Sequence, residues 1–425
     1  MPTIDNLLNT LLTDCHVEVE SSPRLIDRIQ HKQNLRDQDL TRRHKPGVPI
    51  KTVTPIAIFN PSETIQIKPF SLLHSIGLIT TPPIPNLASL SSTWAIIRYL
   101  WAFEAGTQRM PRLLLSSIAR DLDFHQKAVL SDEVGMGMAW YIMNNYFHTT
   151  AARDVSKALE MPEWPIDQQT SALPDYLFYD DPSGDTFIVE CKGNQSSEDS
   201  TIHQMQRGTE QVPSIIFNDD RRSISIVIAT CMLNNKTKVF IVDPDSENGL
   251  EKYFPKYSSE KAERIGPNKW QVKNDELFSR DSRLLGRAKA LMFAGCDIEA
   301  FSQLPYDVQN YYGKYPKRTE IKERFETDYG LFVGVSENLR NSEGYDITFS
   351  KCILDDLRVK YSPFSQNSPR NELFGFEQIS ASLEYLERFG KSSFKSELEE
   401  LKNYFRARSY SKDGTMVQLI VSKNH

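Results

Sequence analysis

The sequence predicts an α/β fold. Three observations carry this reading. Two β-prone runs flank a dense turn cluster at 176–191, helical patterns lie on either side at 131–147 and 199–212, and two further apolar strand patterns follow at 223–230 and 238–242. The predicted order is helix, strand, strand, helix, strand, strand.

Residues 1–125 read as an N-terminal mixed, largely helical region. It opens on an amphipathic helix pattern and becomes polar and basic by residue 45. Short strand-like runs follow within 52–67 (VTPIAIF, TIQI), and Thr81-Pro82-Pro83-Ile84-Pro85 is a stiff loop. From 91 to 124 the pattern is helical, rich in Leu, Ala and aromatics. Trp94, Leu100 and Trp101 are expected to pack against the central sheet rather than stack on bases.

The helix at 131–147 starts with Ser131 as its N-cap, and Asp132 and Glu133 in the first turn suit the helix dipole. Gly137 lies four residues after Glu133 and shares its face. A glycine there allows close packing under a sheet or beside a ligand, at a cost in helix propensity.

Tyr176, Leu177, Phe178 and Tyr179 form the first leg of a hairpin. Asp180, Asp181, Pro182, Ser183, Gly184 and Asp185 supply its turn, and 186–191 its return leg. Residues 193–197 break the pattern. In the helix at 199–212, Gln204 and Gln211 stand seven apart on one face.

Residues 270–425 read as a separate α+β accessory module. Residues 280–294 form a helix that is basic on one side. Strands are expected at 331–335, 345–349 and 416–421, and amphipathic helices at 372–389 and 393–406. The run 311–318 mixes tyrosines with Lys and Arg, a pattern that suits a surface turn or single-strand binding.

The chemistry concentrates in 174–192, PDYLFYDDPSGDTFIVECK. Alternate side chains of a strand share a face, so Glu190 and Lys192 project together while Val189 and Cys191 face away. Pairing of the two legs brings Asp175 to the same end. Two carboxylates and an amine then surround one point. Hard divalent cations such as Mg²⁺ take carboxylate oxygens, and an amine beside the ion can hold or deprotonate a water, or neutralise developing charge. Such a set suits phosphodiester hydrolysis.

With Glu133 on the preceding helix, Pro174-Asp175 and Glu190-Cys191-Lys192, the stretch from about 130 to 242 resembles the PD-(D/E)XK, or restriction endonuclease-like, nuclease superfamily. The resemblance implies a mixed β-sheet flanked by helices over 126–250, with N- and C-terminal extensions outside it. It implies a Mg²⁺-dependent endonuclease, with Mn²⁺ as a substitute. Asp175 and Glu190 are the implied metal ligands, Glu133 an accessory ligand, and Lys192 the residue that positions or activates water. Gln204 or Gln211 matches the glutamine that some branches carry on the following helix. DNA is the favoured polymer, with RNA, including transfer RNA, as the alternative. A homodimer, a protein trigger and a role in bacterial antiviral defence belong to the same expectation. A catalytically inactive interaction protein and a structural subunit are the competing readings.

Composition bounds the rest. The chain has 425 residues, 25% charged and 39% hydrophobic, as expected of a soluble, cytoplasmic protein of two or three domains. No apolar stretch reaches membrane-spanning length, and the N-terminus lacks a secretory pattern. Cysteines 15, 191, 231, 296 and 352 are scattered, which argues against a zinc site or a disulfide framework. The net charge of −6 disfavours indiscriminate DNA coating. Basic patches at 42–45, 221–222, 314–324 and at Arg406 with Arg408 could meet phosphate, though each first reads as a solvated face. Gly135-Met136-Gly137 lacks a dinucleotide loop's third glycine, and no Walker or Gly-x-Ser-x-Gly motif occurs. His125, His148 and His203 are not spaced as a metal pair.

Overall fold

The computed structural model describes residues 4–44, 52–82, 88–107, 109–155, 173–179, 186–212, 215–216, 223–244, 262–266, 269–272, 275–304, 309, 323–327, 330–340, 345–354, 394–401, 404–411, 413 and 415–423. The fold is mixed α/β. An eight-stranded sheet runs in the order Ser62–Ile67, Cys15–Glu20, Lys236–Pro244, Ser223–Leu233, Thr186–Asn194, Tyr176–Tyr179, Ala151–Asp154, with Val53–Pro55 also paired to Lys236–Pro244. The sheet is mixed. Ser223–Leu233 runs parallel to Thr186–Asn194, and Cys15–Glu20 parallel to Lys236–Pro244, while the other pairings are antiparallel.

Both faces of the sheet are covered, and the alternation of its central strand shows how. Ile226 and Ile228 join one apolar cluster, which also holds Val134 and Met138 of the helix Phe124–Tyr146 and Phe70, Leu73 and Ile76 of the helix Pro69–Ile79. Val227, Ala229 and Cys231 join the other, against Leu25 and Ile29 of the helix Pro23–Arg42 and Ile202 and Met205 of the helix Glu198–Gln211. A strand buried on both faces reads as the near-continuous apolar run SISIVIATCML.

Several elements differ from the sequence reading. The helix expected from residue 131 begins at Phe124, where Asp123 caps it by accepting from the amides of His125 and Gln126. Ser131 lies inside the helix, its hydroxyl donating back to the Lys127 carbonyl at 2.7 Å. The helix in 91–124 spans only Ala88–Arg98; the short strands Phe103–Ala105 and Leu113–Leu115 pair beyond it, followed by the turn of helix Ser117–Arg120. Leu100 is buried and Trp101 half-buried, but Trp94 is 62% exposed and does not pack on the sheet. The return leg of the hairpin continues through Gly193 to Asn194.

The C-terminal residues contain a six-stranded antiparallel sheet in the order Glu323–Thr327, Gly330–Arg340, Tyr345–Leu354, Thr415–Lys423, Tyr404–Ser411, Phe394–Leu401. The helix expected at 393–406 is instead two strands. In the ladder Glu397 stands opposite Arg408 and Glu399 opposite Arg406. The helix expected at 280–294 spans Asp275–Phe293. Phe349, Tyr410 and Leu419 belong to the same apolar cluster as Phe70 and Met138, and His74 meets Thr415 Oγ1 at 2.9 Å. The expected hairpin turn at 180–185, the helix at 372–389 and the aromatic-basic run at 311–318 lie outside the described residues. Among the described residues no helix is long and apolar enough to cross a membrane.

Candidate active site

The hairpin register sets Tyr176 opposite Val189. Asp175, one residue earlier, therefore stands at the open end of the ladder beside Glu190. Two hydrogen bonds hold it there. Its carbonyl accepts from the Val155 amide at 3.0 Å, and its carboxylate Oδ2 accepts from the Cys191 amide at 2.8 Å. Glu190 is fully buried, and Lys192 Nζ donates to its Oε1. The other oxygen, Oε2, is buried with no hydrogen-bond partner. Asp175, Glu190 and Lys192 thus meet at one end of the hairpin.

Glycines make room for this arrangement. Glu190 lies under the helix Glu198–Gln211 at Gly208, where an added Cβ would stand 3.0 Å from Glu190 Cγ and 2.9 Å from a Val227 methyl. On the other face the helix Phe124–Tyr146 crosses the strand end so closely that a Cβ on Gly193 would fall 1.7 Å from the Ser131 carbonyl oxygen. A Cβ on Gly135 would meet the Lys192 carbonyl at 2.9 Å. Only glycine permits such backbone approach.

Burial, and then the charge of Asp175, push the Glu190 carboxyl up to about 8, against the pull of Lys192. Burial likewise raises Asp175, although Lys192 and the Cys191 amide favour its charged form. Burial disfavours the charge on Lys192, but Glu190 and Asp175 outweigh it and hold the amine above the ordinary lysine range. The ensemble is two carboxylates reluctant to ionise together beside a firmly protonated amine.

The chain matches no protein-family model, no curated protein and no solved structure. Its site is described by its own geometry.

Glu133 goes elsewhere. Its Oε1 lies 3.7 Å from Arg98 Nη1, and it hydrogen-bonds the Tyr99 hydroxyl. The carboxylate on that helix that interacts with Lys192 is its neighbour Asp132, raised by burial and partly restored by the lysine's charge. Sequence spacing could not separate the two, because neighbours differ by about 100° around a helix and the sequence does not fix its rotation against the sheet. Gln211 braces the approach to Asp175, with Nε2 donating to the Leu173 carbonyl at 3.0 Å. Gln204 Oε1 is buried without a hydrogen-bond partner. Gln206, not anticipated, is fully buried and donates to Glu210 at 2.5 Å.

The basic residues near this face are largely engaged. Arg28, Lys32 and Arg36, one turn apart on the helix Pro23–Arg42, pair with Glu198, Asp199 and Glu210. His203 is exposed; burial and the cations Arg207, Lys32 and Arg36 hold it below the usual histidine range. Arg43 pairs with Asp39, and Arg408 with Gln418. Residues 45, 221–222 and 314–322 of the expected basic patches lie outside the described residues.

Among the described residues no group of three or more His, Cys, Asp or Glu is arranged to hold a metal ion. The donors at Asp175 and Glu190 nonetheless suit a hard cation. Two carboxylates share a buried point, and Oε2 of Glu190 makes no close hydrogen bond there, although the Asp175 backbone favours its charged form. Such an oxygen is costly unless something satisfies it.

Proposed function

We propose that this chain is a divalent-metal-dependent nuclease with a restriction endonuclease-like core, hydrolysing phosphodiester bonds of nucleic acid, DNA in preference to RNA. One observation carries the reading: Asp175, Glu190 and Lys192 converge at the open end of one hairpin, with a buried carboxylate oxygen left unsatisfied. Asp175 and Glu190 would hold the cation through their carboxylate oxygens. Mg²⁺, or Mn²⁺ in its place, supplies a bound water of lowered pKa and neutralises charge at the phosphate. Lys192, kept protonated by its two acids, orients that water and stabilises negative charge developing on the phosphoryl oxygens. Asp132 replaces Glu133 as the helix carboxylate of the site. Gly208 and Gln211 are positioning residues. A homodimer, a protein trigger and service as a bacterial antiviral effector remain part of this proposal.

The test is direct. Purified protein with Mg²⁺ or Mn²⁺ is incubated with duplex DNA, single-stranded DNA and RNA. Cutting that is lost in Asp175→Ala, Glu190→Ala and Lys192→Ala, and kept in His203→Ala, supports the proposal. Absence of cutting and of metal binding leaves the competing reading, a non-catalytic interaction protein. The closure of Lys192 onto Glu190 favours that second reading, because the amine already has a partner.

A further inference from the structure

A pocket of about 400 Å³ opens beside the start of the helix Phe124–Tyr146. Aromatic rings dominate it: Trp94, Tyr99 and Trp101, with Ile118 and Val129 opposite. Trp94, Ile118 and Val129 are all exposed, an apolar grouping that a soluble surface rarely leaves without an occupant. The volume and lining are those of a small-ligand site.

Its polar groups are few. The Arg98 guanidinium carbon lies 5.8 Å from the centre of the Trp94 ring and 5.4 Å from that of Tyr99. Arg98 also reaches Glu133, so the cation is fixed between the rings and the helix. His125 and Gln126 add hydrogen-bonding groups at the rim. An aliphatic side chain from a protein partner would fill the apolar space but offer no hydrogen bond to His125 or Gln126. A planar heterocycle offers a π-face to the rings and edge acceptors to Arg98 and Gln126.

The pocket and the candidate active site share the helix Phe124–Tyr146. His125, Val129 and Asp132 follow one stripe of the helix, and seven residues of helix span about 10 Å. Asp132 is the carboxylate that interacts with Lys192.

We propose that this pocket holds an unpaired nucleobase of the strand whose phosphate meets Asp175, Glu190 and Lys192. The inference rests on the nuclease reading and adds to it a preference for unpaired over duplex substrate near the cut.

Binding in a cleavage-silent background separates the two. In Glu190→Gln protein, a fluorescein-labelled oligodeoxythymidine is titrated by fluorescence polarisation at moderate salt. Adding Trp94→Ala weakens binding roughly 5- to 100-fold, the range for losing one stacked base. Trp94→Phe restores most of it, and an abasic strand of equal length binds with and without Trp94 alike. Competition by thymidine monophosphate that is itself lost with Trp94→Ala assigns the base to a free nucleotide; failure to compete assigns it to the strand. Equal affinity for the strand with and without Trp94 overturns the inference, as does a Trp94→Ala effect confined to the protein's own association state. Trp94-dependent binding without any cutting by the parent chain sinks the nuclease chemistry alone. Cutting of unpaired strands indifferent to Trp94 sinks the pocket alone. No binding of strand or nucleotide by the parent sinks both.

Discussion

Replacing Glu190 by Gln should stabilise the protein, increasingly so as pH rises. Gln is close in shape to a protonated Glu, so the two proteins should match where Glu190 is protonated in both the folded and the unfolded chain. In the unfolded chain the carboxyl ionises near its ordinary 4.5; in the fold, burial and Asp175 raise it to about 8. Between those values the folded state binds the extra proton, so its stability falls with rising pH. The loss grows by 1.36 kcal/mol per pH unit. It reaches about 3 kcal/mol at pH 7 and levels near about 5 kcal/mol above pH 8. Gln removes this loss and keeps the packing beneath Gly208. Lys192 retains Asp175 as a counter-charge.

The assay is urea unfolding of parent and Glu190→Gln in chelator, from pH 4 to 9. The difference should be near zero at the acid end and open to a few kcal/mol by pH 8. Parallel curves, or a variant less stable than the parent at pH 8, would refute the reasoning. Mg²⁺ gives the second reading. A cation bound to the ionised pair adds about 2.7 kcal/mol at a hundredfold excess over its dissociation constant. That gain should appear in the parent and vanish in the variant.

Gly193→Ala places a methyl 1.7 Å from the Ser131 carbonyl oxygen, which forces the helix off the strand. Chemical denaturation should show a loss of about 3 kcal/mol or a failure to fold. Asp132→Asn should lower the rate of cutting at least tenfold, roughly the scale of a supporting ligand, whereas Glu133→Gln, removed from the site toward Arg98, should change it only a few-fold. Single-turnover cleavage ranks the two. Lys32→Ala removes an exposed pair to Asp199 at 2.7 Å and should cost at most about 1 kcal/mol in a thermal melt, less in high salt.

The hairpin was legible because its evidence is local. Period-two alternation, β-branched residues and a turn cluster agree, and side-chain alternation alone puts Glu190 and Lys192 on one face. The strand Cys15–Glu20 was hidden because its partners are distant. Six alternating residues between two helical patterns become a strand through parallel pairing with Lys236–Pro244. Residues 394–401 were misread for a related reason. Glu- and Lys-rich sequence favours helix intrinsically, and the ladder to Tyr404–Ser411 overrides that preference. Trp94 shows a further limit. The apolar pattern marks the residue but says nothing of whether a partner element covers it. That Asp132 rather than Glu133 interacts with Lys192 turns on one residue, about 100° around a helix, and the contact of Gly135 and Gly193 fixes that rotation.

The hairpin end is a costly arrangement for a purely structural role. A leucine at position 190 would fill the space under the helix without a buried carboxyl group. Glu190 instead leaves an oxygen without a partner, at a cost of about 1–3 kcal/mol. Gly208, in the middle of a helix, adds about 1 kcal/mol relative to alanine and is what admits the Glu190 side chain. Asp175 beside Glu190 raises the cost again through repulsion. The two electrostatic concessions fall at the same point, and the arrival of a cation between the two acids would relieve both. That point is where the proposed cation would be held. The sign of the Glu190→Gln effect therefore tests more than one residue: a site made for an ion must be less stable empty than its neutral mimic.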